Sequence, residues 1–320
     1  MKNRSIAFTA ILFSLAVLCA AAAPKAFGVV PAPDGGYPGG NTAEGQNALF
    51  SLTSGTYNIA VGFSSLRSNT EGSFNTALGA GTLLLSTGND NTATGAGALL
   101  SNTIGSGNTA DGTFGLFFNT TGFDNTAIGY QALANNTIGD SNTANGWGAL
   151  VGNTEGSQNT AAGYGALFNN DTGDFNTAVG FNALYSNIYG ASNTAVGYNA
   201  LHDNNGPANV AVGAGAGYNA TTGSGNVYIG AGMVGVAGES NATYISGIYD
   251  QAIDPDSFFM GVDVNHKLGT HAASGPGVRI KDVVEDHKKI VELEATVAAL
   301  TTQLKEQARR IEQMNVALKQ

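Results

Sequence analysis

Apolar and polar positions recur along this chain with a period much longer than that of a strand or a helix. Asn falls at positions 41, 58, 75, 91, 108, 125, 142, 159, 176, 193, 209 and 226, a step of 17 residues shortened to 16 at two places. Ala stands two residues after this lead Asn in eleven of twelve copies, Tyr228 being the exception. Leu stands eight after it in ten consecutive copies, from Leu49 to Leu201. Gly stands four after every lead Asn, from Gly45 to Gly230, and a second Gly stands three before it from Gly55 to Gly223. A fixed period of this kind marks a solenoid, in which each repeat buries its apolar positions against its neighbours.

Two short segments, each with one repeated apolar position and joined by Gly corners, predict two strands per coil. The expected fold is an all-β solenoid, a parallel β-roll of about twelve 17-residue coils over 41–238, followed by an α-helical coiled coil. Stacked at ~4.8 Å, the coils give a rod of roughly 50 Å. Ala and Leu would stack on themselves as a thin core, and the lead Asn is expected to form a ladder of side-chain amides from coil to coil. Asn also recurs eleven residues after the lead Asn, at 69, 102, 119, 136, 153, 170, 187 and 204. It reads there as a turn residue that tolerates left-handed backbone.

Beyond Gly230 the period fades, and 239–277 reads as a neck of irregular strands. From Val278 the apolar spacing becomes heptad: Val283, Ile290, Val297, Leu304, Ile311 and Leu318 alternate with Asp286, Leu293, Leu300, Gln307 and Met314. That predicts a coiled-coil seam over 278–320, formed by Val283, Ile290, Leu293, Val297, Leu300, Leu304, Ile311, Met314 and Leu318. At the other end, Lys2 and Arg4, the apolar run Ile6 to Leu18 and Ala20 to Ala22 have the form of a secretory signal over 1–22. Residues 23–40 are a Pro/Gly linker.

Composition sharpens the solenoid reading. Gly is 46 of 320 residues and charged residues are 11%, against about 25% in an ordinary globular domain. The net charge of −10 becomes −12 once Lys2 and Arg4 are removed with the signal. Between Gly45 and Gly230 the only basic side chain besides His202 is Arg67. Such a surface repels nucleic acid and anionic lipid, so neither is an expected partner. The single cysteine, Cys19, lies within the signal, so the processed chain has no thiol for a disulfide or a thiolate metal site.

The Asn-Thr-Ala-x-Gly unit, as in Asn125–Gly129, Asn176–Gly180 and Asn193–Gly197, resembles the head repeat of YadA-type trimeric autotransporter adhesins over about 41–230. The resemblance implies a left-handed parallel β-roll, assembly as a homotrimer, and adhesion or cell-surface structure. The 17-residue period is longer than the coil of the typical head. The membrane-anchor barrel of true autotransporters is not expected here, because the chain ends in the predicted helix. An endosialidase-type chaperone domain has no room between Ile248 and Val278. Peptide rules alone, with Ile290 and Val297 at a and Leu293 and Leu300 at d, favour a dimer of the stem. The head implies a trimer, and its larger interface is expected to set the assembly of the full chain.

Candidate chemistry is sparse. An aromatic row five residues after the lead Asn, Tyr130, Trp147, Tyr164, Phe181 and Tyr198, with Phe63 earlier, would form a stripe about 20 Å long. It is expected to contact a sister chain; the alternative is a carbohydrate-binding stripe for a glycan. A Thr row beside the lead Asn, such as Thr126, Thr143 and Thr160, has the form of an ice-binding array and is better read as ordinary strand-forming Thr. Asp90, Asp124, Asp140, Asp171 and Asp174 read as solvated turn residues, not as a calcium site. His202, His266, His271 and His287 lack metal spacing, and Gly213–Gly217 has no strand–helix context for a nucleotide. Arg67 has no acid–base companion on adjacent coils, so no catalytic residue, no cofactor and no metal site is expected. The expected protein is an exported, non-enzymatic fibrous protein at the cell surface or outside the cell, without an integral membrane anchor. Its partners would be copies of itself and a surface glycan or protein.

Overall fold

The computed structural model describes residues 37–246, together with 260–262, 268–270 and helical positions 289, 292–293, 295–297, 299–307 and 309. The signal segment, most of the Pro/Gly linker and the seam positions Val283, Ile290, Ile311, Met314 and Leu318 lie outside the described residues.

The chain divides into two units at 247/248. In the first, one three-residue strand per coil runs through β1 (Thr42–Glu44), β2 (Ile59–Val61), β3 (Thr76–Leu78), β4 (Thr92–Thr94), β5 (Thr109–Asp111), β6 (Thr126–Ile128), β7 (Thr143–Asn145), β8 (Thr160–Ala162), β9 (Thr177–Val179), β10 (Thr194–Val196), β11 (Val210–Val212), β12 (Val227–Ile229) and β13 (Thr243–Ile245). They form a single 13-stranded parallel sheet in sequence order. Every strand pairs at equivalent repeat positions, for example Thr126 with Thr143 and Ala127 with Ala144. The sheet runs past 238 into the segment read as a neck, because Thr243, Tyr244 and Ile245 repeat the strand pattern and pair with β12.

The second predicted strand of each coil does not form. On that side the Leu residues take left-handed backbone, with φ 49° at Leu116, 52° at Leu133 and 53° at Leu150. The residue two before does the same, as at Phe114 and Gln131. The backbone still finds its partners. Gln131 N–H donates back to Thr113 O at 3.1 Å, and Leu133 N–H forward to Ala149 O at 3.0 Å. Between them, Ala132 N–H closes a turn onto Gly129 O at 3.3 Å. The side-chain pattern explains why a strand fails. Ala132 and Leu133 are consecutive and both fully buried, as are Ala149 and Leu150. Strand side chains alternate between faces, so two neighbours cannot both point inward from a strand. A β-branched residue is a severe outlier at positive φ, which accounts for Leu and not Val or Ile at this position.

The two glycines serve different needs. Gly129, four after the lead Asn, has φ 120°, and a Cβ there would lie 2.7 Å from Gly146 O of the next coil. Gly139, three before the lead Asn, is not at positive φ; its Cβ would meet Gly156 O at 2.3 Å. The second glycine is therefore set by close stacking of successive coils, not by the backbone freedom assigned to it from sequence.

Two ladders of buried Asn run through the interior. In the expected one, Asn142 N–H and Nδ2 both donate to Asn125 Oδ1, at 2.9 and 3.1 Å, and Nδ2 also donates to Gly156 O at 2.8 Å. The Asn eleven residues on is not a left-handed turn residue but a second ladder. Asn119, Asn136, Asn153, Asn170 and Asn187 each donate to the preceding rung at 2.7–2.8 Å and to a Gly carbonyl three residues ahead. Burial without water forces each amide to find its partners within the stack. The coils of 16 residues lose their residue between this Asn position and the second Gly, at Ser86–Gly88 and Asn204–Gly206. The loss is absorbed in the corner, so the sheet register is kept across both short coils. It does end the second ladder: Asn187 Oδ1 is buried without a partner, while Asn204 Nδ2 turns to Gly206 O at 2.8 Å.

The core is one continuous file of Ala and Leu from Leu49 to Ala220. It closes with a size exchange. Gly217 stands where Leu is expected, and Tyr228 stands in the next coil where Ala is expected. A Cβ on Gly217 would lie 2.7 Å from both the Tyr228 ring and Leu201 Cδ2, so the ring fills the space of the missing Leu. Tyr244 stacks on Tyr228 at 5.5 Å.

In the second unit, β14 (Met260–Val262) pairs antiparallel with β15 (Leu268–Thr270). The described helical positions fall within 289–309 and include the seam residues Leu293, Val297, Leu300 and Leu304, which a single chain leaves exposed.

Candidate functional site

The aromatic stripe is held by the coil geometry. Each ring follows the positive-φ Gly that ends a strand, so each leaves its coil at the same corner. The rings stack face to face along the coil axis. Centroids are 6.4 Å apart for Tyr130–Trp147, 4.6 Å for Trp147–Tyr164, 5.1 Å for Tyr164–Phe181 and 5.4 Å for Phe181–Tyr198. Interplanar angles are 8–18°. The rings are 41–58% exposed, Tyr198 at the end of the column the most. A sugar stacks on the face of an aromatic ring; here the facing surfaces of successive rings from Tyr130 to Tyr198 are taken by one another, and beyond Tyr198 the equivalent position is Ala214. Phe63 stands apart, separated from the stripe by Ala80, Ala96 and Thr113 at the same repeat position.

A second aromatic column, nine residues after the lead Asn, was missed from sequence. Phe168, Tyr185, His202 and Tyr218 stack at 5.0, 5.2 and 5.1 Å. The columns meet where Trp147 stacks on Phe168 at 6.3 Å. Two rings of the second column lie over a glycine of the preceding repeat: a Cβ on Gly148 would be 3.2 Å from Phe168, and one on Gly165 3.5 Å from Tyr185. The same fixed-offset count that revealed the first column would have found this one, but Arg67, Leu84, Leu100, Ala134 and Val151 at that position dilute the signal. His202 Nδ1 lies 2.6 Å from Asp203 Oδ1 within this column.

The loop acids brace the coil corner. Asp140 Oδ1 accepts from Phe123 N–H at 2.9 Å, and Asp174 Oδ1 from Ser157 N–H at 2.7 Å. Ser106 Oγ and Ser157 Oγ accept equivalent bonds from Asn89 and Asp140 N–H at 3.0 Å. Ser, Asn or Asp two residues before the lead Asn is thus a third, surface ladder. Asp171 accepts from Thr154 Oγ1. Asp90 and Asp124 share an open, shallow surface depression with Ile104 and Phe123. Among the described residues, no group of three or more His, Cys, Asp and Glu is placed to hold a metal ion. His266, His271 and His287 lie outside the described residues.

At the C-terminal end of the coil stack, burial and then the Glu239 charge push the Tyr228 hydroxyl above its ordinary pKa. Tyr244 is pushed up first by its hydrogen bond to Glu239. The Tyr228 hydroxyl itself is buried without a hydrogen-bond partner.

The strands place Thr and the residue two beyond it outward, as at Thr177 and Val179, on either side of the buried Ala. Among the described residues, no helix is long and apolar enough to cross a membrane. Neither a family model nor a curated protein sequence matches the chain.

Proposed function

We propose that the protein is an exported, non-enzymatic fibrous component of the cell surface or extracellular space, with an adhesive or structural role. The observation that supports this reading is the commitment of the repeat interior to inter-coil bonding. Both Asn ladders, the Ala–Leu file and the surface corner ladder tie each coil to the next. Such a stack is a stiff spacer, and its side chains are spent on being one. The Asn-Thr-Ala-x-Gly repeat further supports a YadA-like head assembled as a homotrimer. The exposed Leu293, Val297, Leu300 and Leu304 support a coiled-coil stem as the segment that joins copies.

Glycan binding through the aromatic stripe has less support, since ring faces that would receive a sugar are stacked on one another. Fractionation of the producing cells, with N-terminal sequencing of the recovered chain, tests export. Surface or medium fractions carrying a chain that begins near Ala23 are expected; intact Met1 on cytoplasmic material would overturn the reading. Attachment of wild-type and deletion cells to a test surface then separates an adhesive from a purely structural role.

A further inference from the structure

The Tyr228 ring closes the core at the C-terminal end of the coil stack, but among the described residues nothing closes the other end. Leu49 keeps 8% exposure and Ala43 is half-buried, whereas Leu66 and Ala60, one coil further on, are fully buried. A hollow of about 360 Å³ opens there, lined by Tyr37, Ala43, Ala48, Leu49 and Leu52. Leu52 is itself out of pattern. It stands eleven after the lead Asn41, at the place that Asn69 and Asn102 hold in the second ladder. An end facing water would favour the polar residue; an apolar side chain there gains only if something dry covers it. The sheet edge is open too. In later coils the N–H four after the lead Asn donates back to the coil before, Gly62 to Glu44 O at 2.7 Å and Gly79 to Val61 O at 2.8 Å. Gly45 holds the same place in the first coil, beside the outer edge of β1.

The stretch before Tyr37 lies outside the described residues, but its sequence matches this edge. Pro24, Lys25, Ala26, Phe27 and Gly28 stand 17 residues before Asn41, Thr42, Ala43, Glu44 and Gly45, so the Ala and Gly of the repeat keep their places. We propose that residues 24–36 are the cap of this end of the stack. Lys25–Phe27 adds to β1 as a parallel strand, with Ala26 over Ala43 and Gly28 over Gly45, and 29–36 crosses the hollow to rejoin the stack at Tyr37. The proposal is independent of any adhesive role.

The residues suit these places. Pro24 offers no rung for the lead ladder, and none is needed, because Asn41 Nδ2 already ends that ladder on Pro38 O at 2.6 Å. Coils approach too closely for more than Gly at the corner: a Cβ on Gly45 would lie 2.8 Å from Gly62 O, and Gly28 would meet Gly45 in the same way. Lys25 comes diagonally beside Glu44, the one acid of β1, where opposite charges attract. Beyond Gly28 a regular coil cannot continue. Val30 falls six after Pro24, where Asn47 and Ser64 take φ 62° and 55°, a backbone closed to a β-branched residue. Residues 29–36 match 46–53 in number, the stretch that makes the same return in the first coil, and they bring Val29 and Val30 as apolar cover for Leu49 and Leu52.

Cysteine pairs read the register in the full chain carrying Cys19→Ser, which has no other thiol. Lys25→Cys with Thr42→Cys puts both thiols on neighbouring strands ~4.8 Å apart, within disulfide reach. Val29→Cys with Thr42→Cys is the control, four residues out of register. After mild oxidation, a non-reducing gel and peptide mass mapping should show the first pair closed within one chain and the control open. A control that closes as readily, a first pair that stays open, or a first pair that joins two chains overturns the proposal. Hydrogen exchange in the unsubstituted chain decides the matter even where a variant fails to fold. The Gly45 amide should exchange within about tenfold of the Gly62 amide, and deletion of 24–36 should speed it by more than that. Faster exchange at Gly45 in the intact chain, or no change on deletion, overturns the cap.

Discussion

Replacing Asn142 by Ala removes one rung of the lead ladder, and the structure says which loss dominates. Three partners keep a second bond. Gly156 O still accepts from Asn153 Nδ2 at 2.8 Å, Asn125 Oδ1 from Asn142 N–H at 2.9 Å, and Asn159 Nδ2 still donates to Gly173 O at 2.8 Å. Asn159 N–H does not: its bond is to Asn142 Oδ1 at 3.0 Å. A stranded buried donor costs about 1–3 kcal/mol, and each of the other bonds contributes about 0.5–1.5 kcal/mol net. With three such bonds lost besides the stranded donor, Asn142→Ala should therefore cost roughly 5 kcal/mol, within about 2.5–7.5 kcal/mol. Asn142→Asp keeps the volume and the bond from Asn159 N–H. However, it turns an acceptor toward Asn125 Oδ1 and Gly156 O, which are acceptors themselves, and it buries a carboxylate. The Asp variant should be the worse of the two at neutral pH. Burial raises that carboxyl's pKa, so its penalty is smaller at low pH and grows as pH rises through the raised value. Because stacked repeats unfold in parts, urea unfolding should be paired with hydrogen exchange at the Asn159 amide. An Asp variant as stable as wild type, or an Ala variant costing less than about 1 kcal/mol, would refute the ladder as a source of stability.

Four further outcomes follow from the coil. Leu133→Ile should destabilise by more than the ~1.5 kcal/mol usual for such exchanges, because φ 52° excludes a β-branched residue; thermal melts beside Leu133→Met show whether backbone, not volume, is responsible. Leu133→Asp should disrupt its coil and both neighbours by burying an unpaired carboxylate, whereas Asp140→Ala loses one exposed bond to Phe123 N–H and about 1 kcal/mol or less. Gly139→Ala should be much costlier than Gly215→Ala in urea unfolding, since a Cβ at 139 meets Gly156 O at 2.3 Å while one at 215 meets nothing within 4 Å and suffers only from φ 67°. Tyr228→Ala should lose about 3–5 kcal/mol as a cavity, and Gly217→Leu should clash alone yet rescue it in the double variant; additive effects would contradict the size exchange.

The C-terminal closure should also respond to pH. The folded Tyr228 and Tyr244 pKa values are raised, so their contribution is complete below the ordinary tyrosine pKa near 10 and lost as pH rises through the raised values. Hydrogen exchange around β13 should accelerate above about pH 10. Tyr228→Phe should remove part of that dependence and, by deleting a buried hydroxyl without a partner, cost little at neutral pH.

The repeat sequence alone determined a great deal. A 17-residue period that keeps Asn, Ala, Gly and Leu in phase admits only coils stacked in register, so the parallel sheet, the Ala–Leu file and the lead Asn ladder were all legible. The adjacency of Ala132 and Leu133 already argued against a second strand, since strand side chains must alternate, but their apolar character alone suggested one. Other features depended on what one coil meets in the next. Gly139 looks like any turn glycine until Gly156 O is seen within 2.3 Å of where its Cβ would be. Asn136 looks like a turn residue until its amide is seen bonded to Asn119. Tyr228 and Gly217 look like two unrelated lapses of the repeat until the ring occupies the place of the missing Leu. A periodic sequence fixes which residues share a column, because the period does that arithmetically. Whether a column faces the core, the solvent or its own neighbours depends on the path of the backbone between columns, and only the stacked coils decided that.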